Sequence, residues 1–272
     1  MVSVRWTGAA GLEFMHEGKT WLIDPYLSRV GKTSIFFGRP QADREKISRY
    51  LDALPGQLQA VVVGHTHLDH ALDIPEILRR FPVPLIGSES LETLMSLHGM
   101  PGRVTVCKER TRVDLPGGAV MTMIPSLHGL VLFGRAPYAG EIEPGQRPPL
   151  KASHYRHGRV FIPRLEVGGK SFLHVGTANL LDGELEGQTC DVLFLCMPGW
   201  KIIPNYHGRI LPRVKPKIVV PFHFDDFSAP LSGDLQAPSV PWLAKKRFLE
   251  RIAEEAPDAR IVHPALFQPM AF

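Results

Sequence analysis

Residues 61–70 read VVVGHTHLDH. The run that leads into this stretch, residues 58–63, is apolar except for Gln59. It predicts a buried strand, and Gly64 ends it. Four potential metal ligands follow within six positions: His65, His67, Asp69 and His70. Imidazole and carboxylate groups suit Zn²⁺, Mn²⁺ and Fe²⁺. The stretch therefore predicts a strand that delivers a metal-binding loop.

The rest of the chain alternates predicted strands with predicted helices. Helical spacing of apolar residues predicts helices at 41–53, 74–81, 88–98 and 241–254. Apolar runs bounded by turn residues predict strands at 2–6, 11–15, 21–23, 83–86, 103–107, 112–115, 118–124, 158–166, 170–175, 191–195 and 217–221. This order predicts two sheets in a layered α/β arrangement, within a single domain of residues 1–272.

Two further histidines follow predicted strands. His128 comes after the strand at 118–124, and His223 comes after the strand at 217–221. A histidine in such a position is by itself more often structural than ligating. Together with the cluster at 65–70, however, the two supply enough imidazoles for one or two metal sites.

The pattern His-x-His-x-Asp-His matches, position by position, the signature of the metallo-β-lactamase superfamily, which the sequence resembles. Residues 22–25 resemble the first motif of that family, in which an aspartate, here Asp24, braces the metal loop from behind the ligands. Residues 121–128 resemble the third motif, and residues 219–224 resemble the last. The motifs occur in the family's order.

This resemblance implies a fold, a ligand set and a reaction type. The fold would be a four-layer αβ/βα sandwich, with two mixed sheets and the helices outside. One or two divalent ions would bind, with zinc expected and manganese or iron as alternatives. The first ion would take His65, His67 and His128, and the second would take Asp69, His70 and His223. Asp69 would also be the catalytic residue, orienting the attacking water and receiving its proton.

One motif departs from the family pattern. The family usually carries Gly-Asp-Thr after a strand of the second half, and its aspartate bridges the two metals, whereas this chain has Thr177 there. A neutral hydroxyl is a poor substitute for a bridging carboxylate, and Asp182 lies five residues further on. A subclass of the β-lactamases manages with three histidines on one zinc and Asp-His-His on the other. Either one or two ions are therefore compatible with the sequence.

By resemblance, the overall layout is most similar to the cytoplasmic branch of sugar-phosphate lactonases and related phosphodiesterases. The expected activity is hydrolysis of a lactone, phosphodiester or related ester or amide bond by metal-activated water. Two alternatives stay open: a mononuclear-iron sulfur dioxygenase of the same fold, and a metal-binding protein with a decayed second site. Di-iron flavoproteins of this fold typically carry glutamate where this chain has His67, and this difference counts against that oxidoreductase branch.

Composition limits the partners. The formal charge of +4 and a pI near 9.0 favour a small anionic substrate. The basic residues are scattered, so nucleic-acid binding is not expected. No apolar run of about 18 residues and no signal peptide are evident, which predicts a cytoplasmic protein without a membrane span. The oligomeric state stays open.

Several other residues carry weaker signals. Residues 198–209 lie where the family places groups that touch substrate, and four members could hold an anion or polarise a carbonyl: Lys201, Tyr206, His207 and Arg209. His154, His157 and His174 receive no role. The three cysteines show no CxxC spacing and are expected to be buried thiols.

Overall fold

The computed structural model describes residues 1–131, 134–230 and 239–272. The strands are β1 (Ser3–Gly8), β2 (Gly11–His16), β3 (Lys19–Ile23), β4 (Gln57–Val62), β5 (Leu85–Gly87), β6 (Val104–Val106), β7 (Thr111–Leu115), β8 (Ala119–Ser126), β9 (Val160–Val167), β10 (Lys170–Val175), β11 (Val192–Cys196), β12 (Ile218–Phe222), β13 (Arg260–Ile261) and β14 (Pro269–Ala271). The helices are α1 (Lys32–Phe37), α2 (Arg44–Asp52), α3 (Leu68–Ala71), α4 (Ile74–Arg80), α5 (Glu89–Leu97), α6 (Asp182–Leu185), α7 (Tyr206–Val214) and α8 (Lys245–Glu255).

These strands form two mixed sheets of seven. The first has the order β14-β1-β2-β3-β4-β5-β6, and the second has the order β13-β12-β11-β10-β9-β8-β7. In the first sheet, β3 to β6 are parallel and the remaining pairs are antiparallel. In the second, β10 to β13 are parallel and β7 to β10 are antiparallel. The prediction of two mixed sheets is confirmed.

The strand before the histidine cluster is apolar on both faces because both faces are buried. Ala60 and Val62 belong to the core that includes side chains of both sheets. Val61 and Val63 belong to a second core, which the first sheet shares with the helices on its other side. A strand covered on both faces is expected to read as a continuous apolar run. Residues 60–63 do so, whereas Gln57 is exposed and Gln59 is half-buried at the start of β4.

Helices flank both sheets. Apolar residues of α2, α4 and α5 pack in the same core as Val61, among them Ile47, Ile77 and Leu91. Ile210 of α7 and Phe248 of α8 pack with the second sheet. The predicted placement of helices around two sheets is thus confirmed. No helix in the described ranges is both long and apolar enough to span a membrane.

Strand direction brings the candidate ligands to one region. In the first sheet, β3 and β4 run parallel and end at the same edge, so Asp24 and the cluster at 65–70 follow neighbouring strands. In the second sheet, β8, β10 and β12 run in one direction because two antiparallel steps and two parallel steps separate them. His128, Thr177 and His223 follow the ends of these three strands.

Some predicted boundaries were wrong. The helix α7 lies where no helix was predicted, and the closing helix begins at Lys245 rather than at 241. The short helix α1 was not predicted either. The strand β8 extends to Ser126, beyond its predicted end at 124. No strand or helix was predicted between it and residue 158, and the described part of this segment is largely irregular, with residues 132–133 outside the description.

Candidate metal centre

The structure brings the six predicted ligands together in two groups of three. One nitrogen from each of His65, His67 and His128 lies within 4.8 Å of the others. The same limit holds for one ligand atom each from the second group: Asp69, His70 and His223. The groups adjoin, because the ring centroids of His65 and His70 are 3.8 Å apart.

Local structure explains how one loop supplies four of these groups. Gly64 follows the end of β4. A Cβ at this position would lie 3.2 Å from Asp24 Oδ2 and 3.3 Å from the carbonyl oxygen of Phe161, so any larger residue would be crowded there. His67 is the N-cap residue of α3, and Asp69 lies in the first turn of that helix. Two ligands therefore precede the helix, and two are carried by it.

Two histidines of the first group have one ring nitrogen fixed by the backbone. His67 Nε2 lies 3.0 Å from the Pro137 carbonyl oxygen, and His128 Nδ1 lies 2.7 Å from the Gly129 carbonyl oxygen. A carbonyl only accepts, so each of these nitrogens carries the proton. The other nitrogen of each ring therefore keeps its lone pair, as histidine ligands of metals generally do.

Asp24 fixes a third histidine from behind. Its side chain is completely buried, its Oδ1 accepts a 2.7 Å hydrogen bond from the Gly64 amide, and its Oδ2 lies 2.8 Å from His70 Nδ1. Asp24 itself adopts a left-handed backbone conformation, with φ of 48°. Such a conformation is costly for a residue other than glycine and persists where the surroundings enforce it. Asp24 holds both the loop backbone and one imidazole.

The unpaired polar atoms also suit a metal. Within the described part of the chain, His65 Nε2 and His223 Nδ1 are buried and have no hydrogen-bond partner. An unsatisfied buried polar atom is unfavourable unless something else satisfies it. Five imidazoles and one carboxylate fit a borderline-soft divalent cation, so the residues present fit one or two such ions.

The charge states of four of these groups, His65, His67, His128 and Asp69, favour metal binding. Burial, aided by the neighbouring imidazoles, lowers the pKa of His65 and His67 well below the usual range and that of His128 to about 4. Burial alone would raise the pKa of Asp69, but the adjacent His70 helps to hold it well below its usual range. Neutral imidazoles and an ionised carboxylate are the forms that coordinate metals.

Thr177 supports the loop that carries His128. Its Oγ1 accepts a 2.9 Å hydrogen bond from the Gly129 amide, and Asn179 Nδ2 donates to the His128 carbonyl oxygen at 3.1 Å. A Cβ on Gly129 would lie 3.1 Å from both Thr177 Oγ1 and the Ala178 carbonyl oxygen. The hydroxyl that replaces the usual carboxylate is thus directly hydrogen-bonded to this loop.

The last histidine is held by a buried ion pair. His223 has a left-handed backbone, with φ of 60°, and its Nε2 lies 3.3 Å from Asp69 Oδ2. Two residues on, the fully buried Asp225 accepts from the Ala9 amide and pairs with Arg29 at 2.7 Å. These contacts join the end of β12 to two loops of the first sheet.

His157 and His174, which the sequence left without a role, lie against the centre. The ring of His157 is nearly parallel to that of His128, with centroids 5.4 Å apart and 9° between the planes. His174 is buried, donates from Nε2 to the Ala10 carbonyl oxygen at 2.7 Å, and lies 3.8 Å from Asp24 Oδ2. Their position before or within a strand was visible in the sequence, but their packing partners were not.

Three of the predicted substrate contacts surround a separate cavity. Lys201, Tyr206 and His207 line a space of about 360 Å³ together with Arg251 of α8. Lys201 is exposed, whereas Tyr206 and His207 are almost completely buried. Burial lowers the pKa of His207 to about 4. A role for these residues in substrate binding remains a prediction.

Asp182 and Arg209 are engaged with each other. Arg209 pairs with Asp182 at 2.5 Å and also donates to the Leu180 carbonyl oxygen at 3.1 Å. Arg213 lies 3.4 Å from the same carboxylate. Asp182 is therefore committed to two guanidinium groups of α7 and does not belong to either group of candidate ligands.

Two stacked mixed sheets with a histidine-rich centre at one edge define a metallohydrolase type of α/β sandwich. A family model described as the metallo-beta-lactamase superfamily matches residues 16–167. The chain belongs to this superfamily, as its motifs predicted.

Curated relatives and a solved structure agree with this assignment. A UPF0173 metal-dependent hydrolase of Anaeromyxobacter sp. (strain K) is 26% identical over 242 residues, covering 83% of this chain and 76% of the relative. Another, from Cupriavidus necator, is 26% identical over 245 residues, covering 86% and 77%. A metallo hydrolase of Ignicoccus hospitalis shares the fold, with a TM-score of 0.63, 17% identity and coverage of 100% and 99%. These names agree with the enzyme class predicted from the sequence.

Proposed function

We propose that this protein is a metal-dependent hydrolase that cleaves a lactone, phosphodiester or related ester or amide bond in a small anionic molecule. The observation that carries the proposal is the pair of three-ligand groups in adjacent positions. In the first group, two of the three histidines donate a hydrogen bond from one ring nitrogen to a backbone carbonyl. The other nitrogen of each ring is then available to a metal. Structural zinc sites are closed by four protein ligands, whereas sites of three ligands leave a position for water.

In this proposal His65, His67 and His128 hold one ion, and Asp69, His70 and His223 hold a second. A bound divalent ion would lower the pKa of water to about 7 and so supply a nucleophile near neutral pH. Asp69 would orient that water and receive its proton, because its carboxylate is ionised and its Oδ2 lies 3.3 Å from His223 Nε2 and 3.7 Å from His70 Nε2. Asp24 keeps the Nε2 lone pair of His70 available by holding Nδ1.

The finer features of the proposal rest on the resemblance and on charge. Zinc is the expected ion, with manganese and iron as alternatives, and the net charge of +4 supports an anionic substrate such as a sugar phosphate. We also propose a cytoplasmic location. One core contains side chains of both sheets, which supports a single domain of residues 1–272.

Metal analysis and a substrate screen test this function together. The protein, purified without chelators, should contain at least one transition metal per chain and hydrolyse a member of a panel of lactones, phosphodiesters and carboxylic esters. His65→Ala should lose both metal and activity. His263→Ala is the matched control, because this histidine is exposed and outside both groups.

The outcomes separate the alternatives. Zinc or manganese with hydrolysis supports the proposal, and iron with oxygen uptake would instead indicate the sulfur dioxygenase. Bound metal without turnover of any panel member would favour a binding protein. A metal-free wild type with full activity would overturn the metal site itself.

A further inference from the structure

A segment of irregular chain is fastened to the metal loop. The Thr66 amide donates to the His157 carbonyl oxygen at 3.0 Å, and Thr66 Oγ1 donates to the Arg156 carbonyl oxygen at 2.5 Å. From the other side, His67 Nε2 donates to the Pro137 carbonyl oxygen. Two stretches far apart in sequence from the loop therefore form one side of the centre.

These two stretches also bind each other. The His157 amide donates to the Tyr138 carbonyl oxygen at 3.2 Å, and the Gly158 amide donates to the Gly140 carbonyl oxygen at 2.9 Å. Tyr138 is 44% exposed, and its ring centroid lies 6.3 Å from that of His67. The side of the centre next to His67 is thus built from backbone hydrogen bonds and presents an aromatic side chain.

His157 is the imidazole that this segment adds beside the ligands. Its ring lies 5.4 Å from that of His128 and 5.7 Å from that of His67, yet it belongs to neither group of candidate ligands. Its Nδ1 donates to the Gly158 carbonyl oxygen at 2.6 Å, which leaves Nε2 as the acceptor atom of the ring. Nε2 makes no hydrogen bond to another described residue.

From this geometry we propose that His157 contacts the substrate, and that its Nε2 accepts a hydrogen bond from an N–H or O–H group next to the bond that is cleaved. This inference rests on the proposed function, because that function is what supplies a cleaved bond in the substrate. Because the backbone fixes Nδ1 as the donor, Nε2 is the acceptor and selects hydrogen-bond donors. His157 therefore makes the enzyme prefer substrates that carry such a donor, for example acylamino or hydroxy acid derivatives.

Two pairs of probes test the contact. The first pair is the p-nitrophenyl ester of N-acetylglycine and that of N-acetyl-N-methylglycine, which lacks the N–H. The second pair is acetohydroxamic acid and its N-methyl analogue, bound to the zinc-loaded protein and measured by calorimetry. His157→Phe keeps a ring beside His128 but removes the acceptor, whereas His157→Gln keeps an acceptor. His154→Phe is the matched control on the same segment.

Wild type and His154→Phe should prefer the N–H member of each pair over its N-methyl partner. His157→Phe should reduce that preference by about threefold to tenfold, the range of one hydrogen bond, and His157→Gln should recover part of it. Zinc content should be unchanged in all variants. An equal preference in wild type and His157→Phe would overturn the inference.

The two pairs also separate this inference from the proposed function. If neither ester is hydrolysed but the hydroxamate preference depends on His157, the contact stands and the hydrolase proposal for these esters fails. If both esters are hydrolysed and the preference is insensitive to His157, the hydrolase proposal stands and the contact is refuted. Loss of zinc from both His157 variants would assign the residue a structural role and would likewise refute the contact.

Discussion

Replacing Asp24 with asparagine should weaken the second metal site while leaving the first one filled. Asp24 accepts from the Gly64 amide through Oδ1, and its Oδ2 lies 2.8 Å from His70 Nδ1. An asparagine that keeps the bond to Gly64 turns its NH₂ group toward His70. The amide NH₂ group and the N–H at His70 Nδ1 then face each other as two donors. The imidazole avoids this clash by carrying its proton on Nε2 instead of Nδ1, and Nε2 then no longer has the lone pair that the metal needs.

The size of the effect follows from the interaction that is lost. A hydrogen bond to a charged group contributes about 1.5–3 kcal/mol, and each 1.4 kcal/mol is a tenfold change in affinity. The second site should therefore bind zinc about 10- to 100-fold more weakly, as is usual when a carboxylate behind a histidine ligand is altered.

Calorimetric titration of zinc into the metal-stripped protein measures both sites. Asp191→Asn is the matched control, because Asp191 also accepts from a backbone amide, that of Ser171, but lies at the start of β11, away from the strand ends that carry the ligands. Two unchanged binding constants in Asp24→Asn would refute the argument, and an equal loss at both sites would indicate damage to the whole loop.

Three further changes should have distinct effects. Thr177→Asp should raise affinity at the weaker metal site at least about tenfold, because it adds an anionic ligand; unchanged stoichiometry and affinity in calorimetry would place Thr177 outside the centre. Gly129→Ala should lower zinc content, because its Cβ would crowd Thr177 and shift His128, as metal analysis can show. Because His207 has a pKa of about 4 in the folded protein, the unfolded chain binds more protons than the folded one between pH 6.5 and about 4. The free energy of unfolding therefore decreases as the pH is lowered through that range. When the pH is lowered from 7 to 4, the free energy of unfolding measured in urea should therefore decrease by up to about 3 kcal/mol less in His207→Phe than in wild type. The exposed control His263→Phe should behave as wild type.

The sequence was most informative where local pattern and tertiary environment agree. Residues 60–63 are all apolar because both faces of β4 are buried there, and this composition predicted a buried strand. The cluster at 65–70 then had to follow that strand. Two mixed sheets and the meeting of six ligands could be predicted because the motifs occur in the family's order.

The failures have physical causes as well. The helix α7 contains Gly208 and Pro212, both poor helix formers, and no helix was predicted there. Its buried residues nevertheless recur at helical spacing, among them Tyr206, Ile210 and Val214. That spacing was a signal that could have identified the helix.

His157 could not have been assigned from the sequence. It is brought to the centre by backbone hydrogen bonds to Thr66 and Tyr138, and neither bond leaves a pattern in side-chain composition. Irregular segments are held by such non-local contacts, which only the folded chain shows.

The candidate ligands follow strands of both sheets, so metal binding should affect the stability of the folded protein. In the proposed assignment, each ion joins a residue of the loop after β4 to a histidine that follows a strand of the opposite sheet, His128 or His223. Each ion is then a reversible crosslink between the two halves of the sandwich. A ligand that binds only the folded state stabilises it in proportion to the logarithm of its free concentration. Resistance to proteolysis should therefore rise with the free metal concentration, and the metal-free chain should be the form that proteases cleave first.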